Sequence, residues 1–388
     1  MRGLYLSNID PKKSIGYMSK IFGQINGFHQ LGYHVDFICF NDDFKVSLIT
    51  YDIELQKNKV SLLIDQPNNN ILQRRYSLIK ASLNYLKENK IDFLYLRYPR
   101  SEPLFLYFLY QVKQNLPNCI ILSEFPTYPY DEEYKRLISF KEKIVHFLDK
   151  VTRNYLKNFI NKIVSINYNK PIYGIDVISI DNGIDINKYS PIIDSPKKLD
   201  IIQIICVANA SYWHGLDRVL LGLNEYYSLV EAYSPKVYFH IVSPPTYYID
   251  ELRKISNTKN LSHCVFFHGS KKGMELDSLF LECHLAIGVL GGHRKGLKIM
   301  SPLKNREYCA RGVPFVFSHT DPDFSEDFEY CLKIDSCDNP LNIQMLIEYA
   351  NKLSTDKEIP NKMRNYAYKN LDWSVKLKPV QTYLVSAN

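Results

Sequence analysis

Short apolar runs rich in β-branched and aromatic residues recur along this chain, each followed by a turn and then by a stretch with helical spacing. Gly3-Leu4-Tyr5-Leu6 is the first run, and after it Met18, Ile21, Phe22, Ile25 and Phe28 repeat at i, i+3, i+4, i+7 before the next run at 34–40. Strand, loop, helix and strand in this succession make a βαβ unit. The alternation returns with apolar runs at 91–96, 119–122, 201–208, 237–242, 265–269 and 284–290. Continuous apolar runs mark strands buried on both faces, so the pattern predicts parallel sheets covered by helices. At roughly 100–200 residues per domain, 388 residues call for two such domains. The expected division is 1–188, a polar, Pro-punctuated linker at 189–200, a second domain at 201–370 and a closing segment at 371–388.

Composition narrows the classes. Apolar residues at 46% and charged residues at 23% fit a globular protein rather than a disordered one. The longest apolar run, 104–110, falls far short of the roughly 20 residues that span a bilayer. The chain leads directly from Met1 into a strand, so a cytoplasmic location without a signal peptide is expected. The eight cysteines are scattered with no Cys-x-x-Cys, and Cys39 and Cys206 lie inside apolar runs, so buried thiols are expected and no metal. The net charge of +7 suits an anionic ligand or membrane surface; without a basic run, nucleic acid is not expected as a partner.

The most informative stretch is 301–314. Ser301 suits an N-cap, Pro302 suits the first helical position, and Gly312 with Pro314 ends the helix. Free backbone donors at this helix start, with the charge of Lys304, favour a phosphate. Glu307 shares a helix face with Lys304 and could accept from two vicinal hydroxyls; the plain alternative is a surface pair worth about 0.3 kcal/mol. The preceding loop, Gly291-Gly292-His293-Arg294-Lys295-Gly296-Leu297, permits close approach of a ligand and carries cations, or is a solvated basic loop. In the first half, a polar loop from Ser7 to Gly16 holds Lys12, Lys13 and Ser14, with no Gly-x-Gly-x-x-Gly, so a dinucleotide site is not expected. Arg97-Tyr98-Pro99 and Ser123-Glu124-Phe125-Pro126-Thr127-Tyr128-Pro129-Tyr130-Asp131 follow two successive strands, where side chains converge on one crevice or the prolines simply form turns.

The segment 301–314, with its glutamate-bearing helix and Ala310-Arg311-Gly312-Val313-Pro314 turn, resembles the donor-binding segment of GT-B glycosyltransferases of the family-4 type. The stretches 123–131 and Trp213-His214-Gly215-Leu216-Asp217-Arg218 resemble bacterial surface-polysaccharide members. The resemblance implies a GT-B fold, two Rossmann-like parallel-sheet domains facing a central cleft, with a terminal helix bent at Trp373 crossing back to the first domain. It implies transfer of a sugar from a nucleotide-diphosphate donor to a lipid-linked or oligosaccharide acceptor, with retention of configuration and without a metal or other cofactor. On the donor side it implies Gly16, Asn209, His214, Arg218, His268, His293, Arg294, Ser301, Leu303, Lys304 and Glu307. Arg97, Glu124, Tyr128 and Tyr130 fall on the acceptor side, and Glu124 would orient or deprotonate the acceptor hydroxyl. Arg218 and Lys304 would stabilise the leaving diphosphate and Glu307 would hold the ribose.

There are departures from the family pattern. Asn209 or Ser211 stands where an Arg is usual and His214 where a Lys is usual, with Arg218 able to supply charge. Ile299 stands where a first carboxylate is expected, and Asp321-Pro322-Asp323 matches Asp-x-Asp only superficially. A second reading is therefore a non-catalytic nucleotide-sugar or lipid-binding protein of the same fold. Finally, residues 139–163 predict one long amphipathic helix with Lys141, Lys143, Lys150, Arg153, Lys157 and Lys162 around an apolar face. Such a helix either packs on the domain or holds the chain to an anionic membrane, as a peripheral protein on its inner face.

Overall fold

The computed structural model describes residues 1–11, 15–52, 57–65, 70–131, 140–192, 199–229 and 234–387, backbone only at 15, 52, 57 and 141. Lys12, Lys13, Ser14 and half of the expected linker lie outside the described residues. Two compact units emerge, Met1–Gly183 with Trp373–Asn388, and Ile184–Asp372.

The first unit is built on β1 (Arg2–Leu6), α1 (Ile15–Gln30), β2 (His34–Phe40), β3 (Val46–Asp52), β4 (Lys57–Ile64), α2 (Ile71–Glu88), β5 (Phe93–Arg97), α3 (Pro103–Asn115), β6 (Ile120–Phe125), α4 (Phe140–Thr152), β7 (Lys162–Ile166) and β8 (Val177–Ile180). Its eight strands run in the order β4-β3-β2-β1-β5-β6-β7-β8. β3 and β4 add on antiparallel, and the remaining pairs are parallel. Alternate residues feed two cores. Leu4, Leu94, Leu96 and Ile121 pack with α2 and α3, whereas Tyr5, Phe93, Tyr95 and Leu122 pack with α1. This is the two-sided burial that continuous apolar strands require.

The second unit holds β9 (Ile201–Val207), α5 (Leu216–Leu229), β10 (Lys236–Val242), α6 (Tyr247–Thr258), β11 (Val265–Gly269), α7 (Met274–Glu282), β12 (Leu285–Ile287), α8 (Leu303–Arg311), β13 (Phe315–Phe317), β14 (Cys331–Lys333), α9 (Ile343–Leu353) and α10 (Ile359–Asn370). Its sheet is parallel throughout, in the order β11-β10-β9-β12-β13-β14. The chain then returns to the first unit as α11 (Trp373–Lys376) and α12 (Lys378–Ser386). Trp373, Leu377, Val380 and Leu384 join the core under α1. Gly27 of α1 makes this contact possible, because a Cβ there would lie 2.8 Å from Trp373.

Both sheets are Rossmann-like, and in each the strand order reverses once. β1 sits between β2 and β5, and β9 sits between β10 and β12. Ligand crevices of open parallel sheets form outside the carboxyl ends of the strands at such points.

Two expectations change. The single helix over 139–163 is instead α4, a 3-10 segment at Arg153–Asn158, and then β7. Residue 139 lies outside the described residues. The break lets Leu156 and Ile160 turn into the core before β7 pairs with β6. The helix of 301–311 starts at Leu303 with Pro302 as its cap residue, one position later than Ser301 as N-cap implies, and ends at Gly312 with φ 78° as expected.

Candidate functional site

In the second unit the reversal point is assembled from three loops and the start of α8. β9 ends in Ala208-Asn209, with Asn209 exposed, and runs into a 3-10 turn at Tyr212–His214. Gly215, at φ 67°, closes that turn against the loop after β12. A Cβ on it would lie 2.8 Å from the Gly291 nitrogen, so only glycine lets the two loops meet.

His214 Nδ1 lies 3.0 Å from the Ser211 backbone N–H, which can only donate. The same Nδ1 lies 3.2 Å from the Ser211 carbonyl oxygen, so the Ser211 backbone holds this ring nitrogen in either tautomer. Burial, reinforced by nearby Lys304 and Lys295, holds its pKa well below the ordinary histidine value. His214 is thus neutral, not the cation that replacement of a lysine implies.

Lys304, on the first turn of α8, reaches back over the strand ends. Its Nζ donates to Gly288 O at 2.9 Å and lies 3.7 Å from Cys206 Sγ. Burial lowers its pKa from the ordinary lysine value. Tyr308, one turn on, accepts from the Val207 N–H at 3.2 Å and donates to Ile287 O at 3.1 Å, tying the ends of β9 and β12 together. Glu307 is half-buried and does not pair with Lys304. Its Oε1 accepts from Arg311 Nε at 2.9 Å, and Arg311 also holds Asp277 at 2.6 Å. Burial raises the Glu307 pKa, and Arg311 opposes the rise.

Other expected donor-side residues have different duties. Arg218 is buried, donating to the carbonyls of Asn339 and Leu290 at 2.8 Å and of Asp335 at 3.2 Å. Its charge fixes loop backbone rather than standing open to a diphosphate. Arg294 makes a two-pronged pair with Asp217 at 2.8 Å and a bond to Asp338 at 2.7 Å, and His293 meets the same Asp338 at 3.0 Å. These two residues brace the loop. Lys295 is an exposed cation of that loop, with its ammonium 3.4 Å from the centre of the Trp213 ring.

Ser301 is buried and Leu303 half-buried at the helix start. His268 lies on the outer strand β11, away from the reversal point. It bonds His240 Nδ1 at 2.9 Å, and His240 bonds Gln203 Oε1 at 2.7 Å. Asp321 and Asp323 both clasp the fully buried guanidinium of Arg306, at 2.5 Å for the Asp321 Oδ2 contact. That duty accounts for the superficial Asp-x-Asp.

In the first unit, Arg97 at the end of β5 pairs with Glu124, one residue before the end of β6. Glu124 is fully buried. Oε1 takes Lys20 at 2.9 Å and Arg97 at 3.1 Å, and Oε2 takes Gln24 at 2.6 Å and Tyr95 at 3.0 Å. Four donors fill the roughly four lone-pair sites of a carboxylate. Burial alone would push its pKa up, but Lys20 and Arg97 overcome that and hold it at about 2. A group so saturated and so weakly basic cannot deprotonate an acceptor hydroxyl, which corrects the role expected of Glu124.

Tyr130 is also drawn inward, donating to Asp149 at 2.7 Å. Tyr128 is half-buried with its ring edge on Tyr168 at 4.8 Å. Gly16 is exposed, and a Cβ there would meet nothing within 4 Å.

Lys304, Glu307 and His214 are therefore brought together in one unit. Tyr308 and Arg311 complete the surroundings without having been singled out as site residues, alongside Lys295, which the sequence reading took with Arg294 as a cation able to meet phosphate. The clue to Arg311 was its spacing of four from Glu307.

No protein-family model matches the chain, and no curated protein matches it. Solved structures match over its full length. Sucrose-phosphate synthase from Thermosynechococcus elongatus is 12% identical with a TM-score of 0.63, covering 100% of both chains. A lipopolysaccharide outer core galactosyltransferase is 13% identical with a TM-score of 0.55, also covering 100% of both. An α-glucosyltransferase in complex with UDP and DNA is 12% identical with a TM-score of 0.57, covering 99% of this chain and 98% of that one. The fold is that of the GT-B glycosyltransferases.

Proposed function

We propose that the chain transfers a glycosyl group from a nucleoside-diphosphate sugar to a hydroxyl of a saccharide acceptor, with retention of configuration. The observation that carries this reading is Lys304 on the first turn of α8, hanging over the β9/β12 reversal beside neutral His214, with Glu307 one turn further on. The leaving diphosphate sits at the start of α8, where free N–H groups, Lys304 and Lys295 meet the charge that builds as the glycosidic bond breaks. His214 adds a neutral imidazole beside it, with Nδ1 held by the Ser211 backbone. Glu307, with Oε1 occupied by Arg311, offers Oε2 to the ribose hydroxyls.

The acceptor is a growing, lipid-linked bacterial polysaccharide in this reading. Its support is the fold shared with a lipopolysaccharide galactosyltransferase and the sequence resemblance at 123–131 and 213–218. A second reading, binding without turnover, is favoured by Ile299, which exposes 57% of its surface where a sugar-binding carboxylate is expected.

Thermal shift with a panel of nucleoside diphosphates and their sugars tests the site. A ligand at a hundred times its Kd stabilises by about 2.7 kcal/mol. One base should give that shift, and Lys304→Ala and Glu307→Ala should each abolish it. A shift retained in both variants sinks the assignment. Binding without hydrolysis or transfer of the sugar selects the second reading.

A further inference from the structure

The first unit carries a small cavity at its own reversal point, outside the carboxyl ends of β1 and β5. Leu6 and Leu96, from those strand ends, line it with Leu78 and Ile79 of α2 and Phe105 and Phe108 of α3. All of these side chains are buried in the core that the two helices share. The volume is about 30 Å³, room for roughly two or three heavy atoms. Close-packed interiors leave few voids of this size, and an apolar lining offers a water no partner. An apolar group therefore fits there better than solvent does.

The polar part of the lining is small and braced. Glu102 precedes α3 and makes no capping bond to it. Its carboxylate pairs instead with Arg75 of α2, whose Nη2 also donates to Pro99 O at 3.2 Å. Glu102 is thereby fixed beside the cavity with part of its acceptor capacity unused. Asn8, half-buried just past β1, has no hydrogen-bond partner among the described residues. Arg97 lines the same cavity but is committed to Glu124. Small-molecule sites usually combine an apolar pocket with a few placed polar groups, and side chains fixed beforehand lose little freedom on binding.

We propose that this cavity takes the acetamido group of an N-acetylated sugar on the acceptor. The methyl enters the apolar part, the carbonyl oxygen accepts from the Asn8 amide, and the amide N–H donates to Glu102. A hydroxyl in the same place would be stranded against Leu78 and Phe105, which selects against the parent hexose. A 6-deoxy sugar brings a methyl but nothing for Asn8 and Glu102. The inference deepens the transfer reading, on which it rests for the saccharide nature of the acceptor, and names a substituent which that acceptor carries.

The test is saturation-transfer NMR and titration of the full chain, without nucleotide, using methyl glycosides of N-acetylhexosamines, the parent hexoses and 6-deoxyhexoses. We expect the acetyl methyl to receive the strongest saturation. The N-acetyl sugars should bind at least about tenfold more tightly than the parent hexoses, since one methylene in an apolar pocket is worth about 10- to 200-fold. Leu78→Phe, which fills the cavity, should erase that preference. Asn8→Ala should reduce it several-fold, and because the Asn8 amide has no partner to lose, the fold should persist by circular dichroism. Equal affinity for N-acetyl and parent sugars, no saturation of the acetyl methyl, or a preference that either change leaves intact overturns the proposal. So does tighter binding of the 6-deoxyhexoses, which would make a bare methyl the ligand. Binding here needs neither donor nor turnover. Acetamido recognition without nucleotide binding would sink the transfer reading alone, and nucleotide binding with no acetamido preference would sink this inference alone.

Discussion

Two glutamates stand near the carboxyl ends of parallel strands, one in each unit, and they are held in opposite ways. Glu124 of the first unit receives two cations, an amide and a phenol, and its pKa is pulled down to about 2. Glu307 of the second unit has Arg311 on one oxygen, and burial raises its pKa. Position at a strand end does not by itself make a carboxylate available. A saturated carboxylate organises a core, and one with an oxygen left over can take a ligand. Glu124 has no lone pair left with which to take an acceptor's proton, while Glu307 has Arg311 on Oε1 alone.

The largest effect should come from Glu124→Gln. The change leaves Lys20 and Arg97 buried without their counter-charge, and breaking a buried pair this way costs about 3–5 kcal/mol. The midpoint of urea unfolding should fall accordingly for the first unit, whereas Glu307→Gln, at a half-buried site, should move stability by under about 1 kcal/mol. Equal costs for the two changes would erase the contrast. Acid unfolding sharpens it. The folded pKa of Glu124 lies below that of an unfolded glutamate, so its contribution is complete above about pH 4.3 and is lost as pH falls toward 2. In Glu124→Gln that part of the acid-unfolding slope should disappear.

Much of the scaffold was legible because strand burial is written locally. The run at 201–208 lacks polar interruptions apart from Gln203, and such a run can only be a central parallel strand. The start of α8 was legible from Pro302 and its end from Gly312, within one residue. What could not be read was which charges already had partners. Gln24 reaches Glu124 from a hundred residues away, and Arg218 binds carbonyls 117 and 121 residues further on. No local pattern carries that information. The period of α4 announced two faces but not which one turns in. Asp149, one of two acids in a basic helix beside Glu142, was the available hint, and it meets Tyr98 and Tyr130 from beyond two strand ends.

The finest test of the comparison is Arg311, which acts on Glu307 rather than on a ligand. Burial favours the neutral carboxylic acid, and in the proposed role it is the ionised form that would accept from two ribose hydroxyls. Arg311 counters burial through its Nε bond, and Asp277 holds Arg311 from the other side. In Arg311→Met the Glu307 pKa should rise further, so nucleotide binding should be lost at a higher pH on acidification than in the unaltered chain. At alkaline pH, where the carboxylate ionises in both, the affinities should converge to within a few-fold, about 1 kcal/mol at most. Arg311→Lys, which restores charge without the fork, should return the midpoint part of the way. Nucleotide affinity measured by calorimetry across pH separates this from simple damage to α8, which would lower affinity equally at every pH. A uniform loss would place Arg311 with Glu124, as part of the frame, and would leave Glu307 without the one partner that distinguishes it.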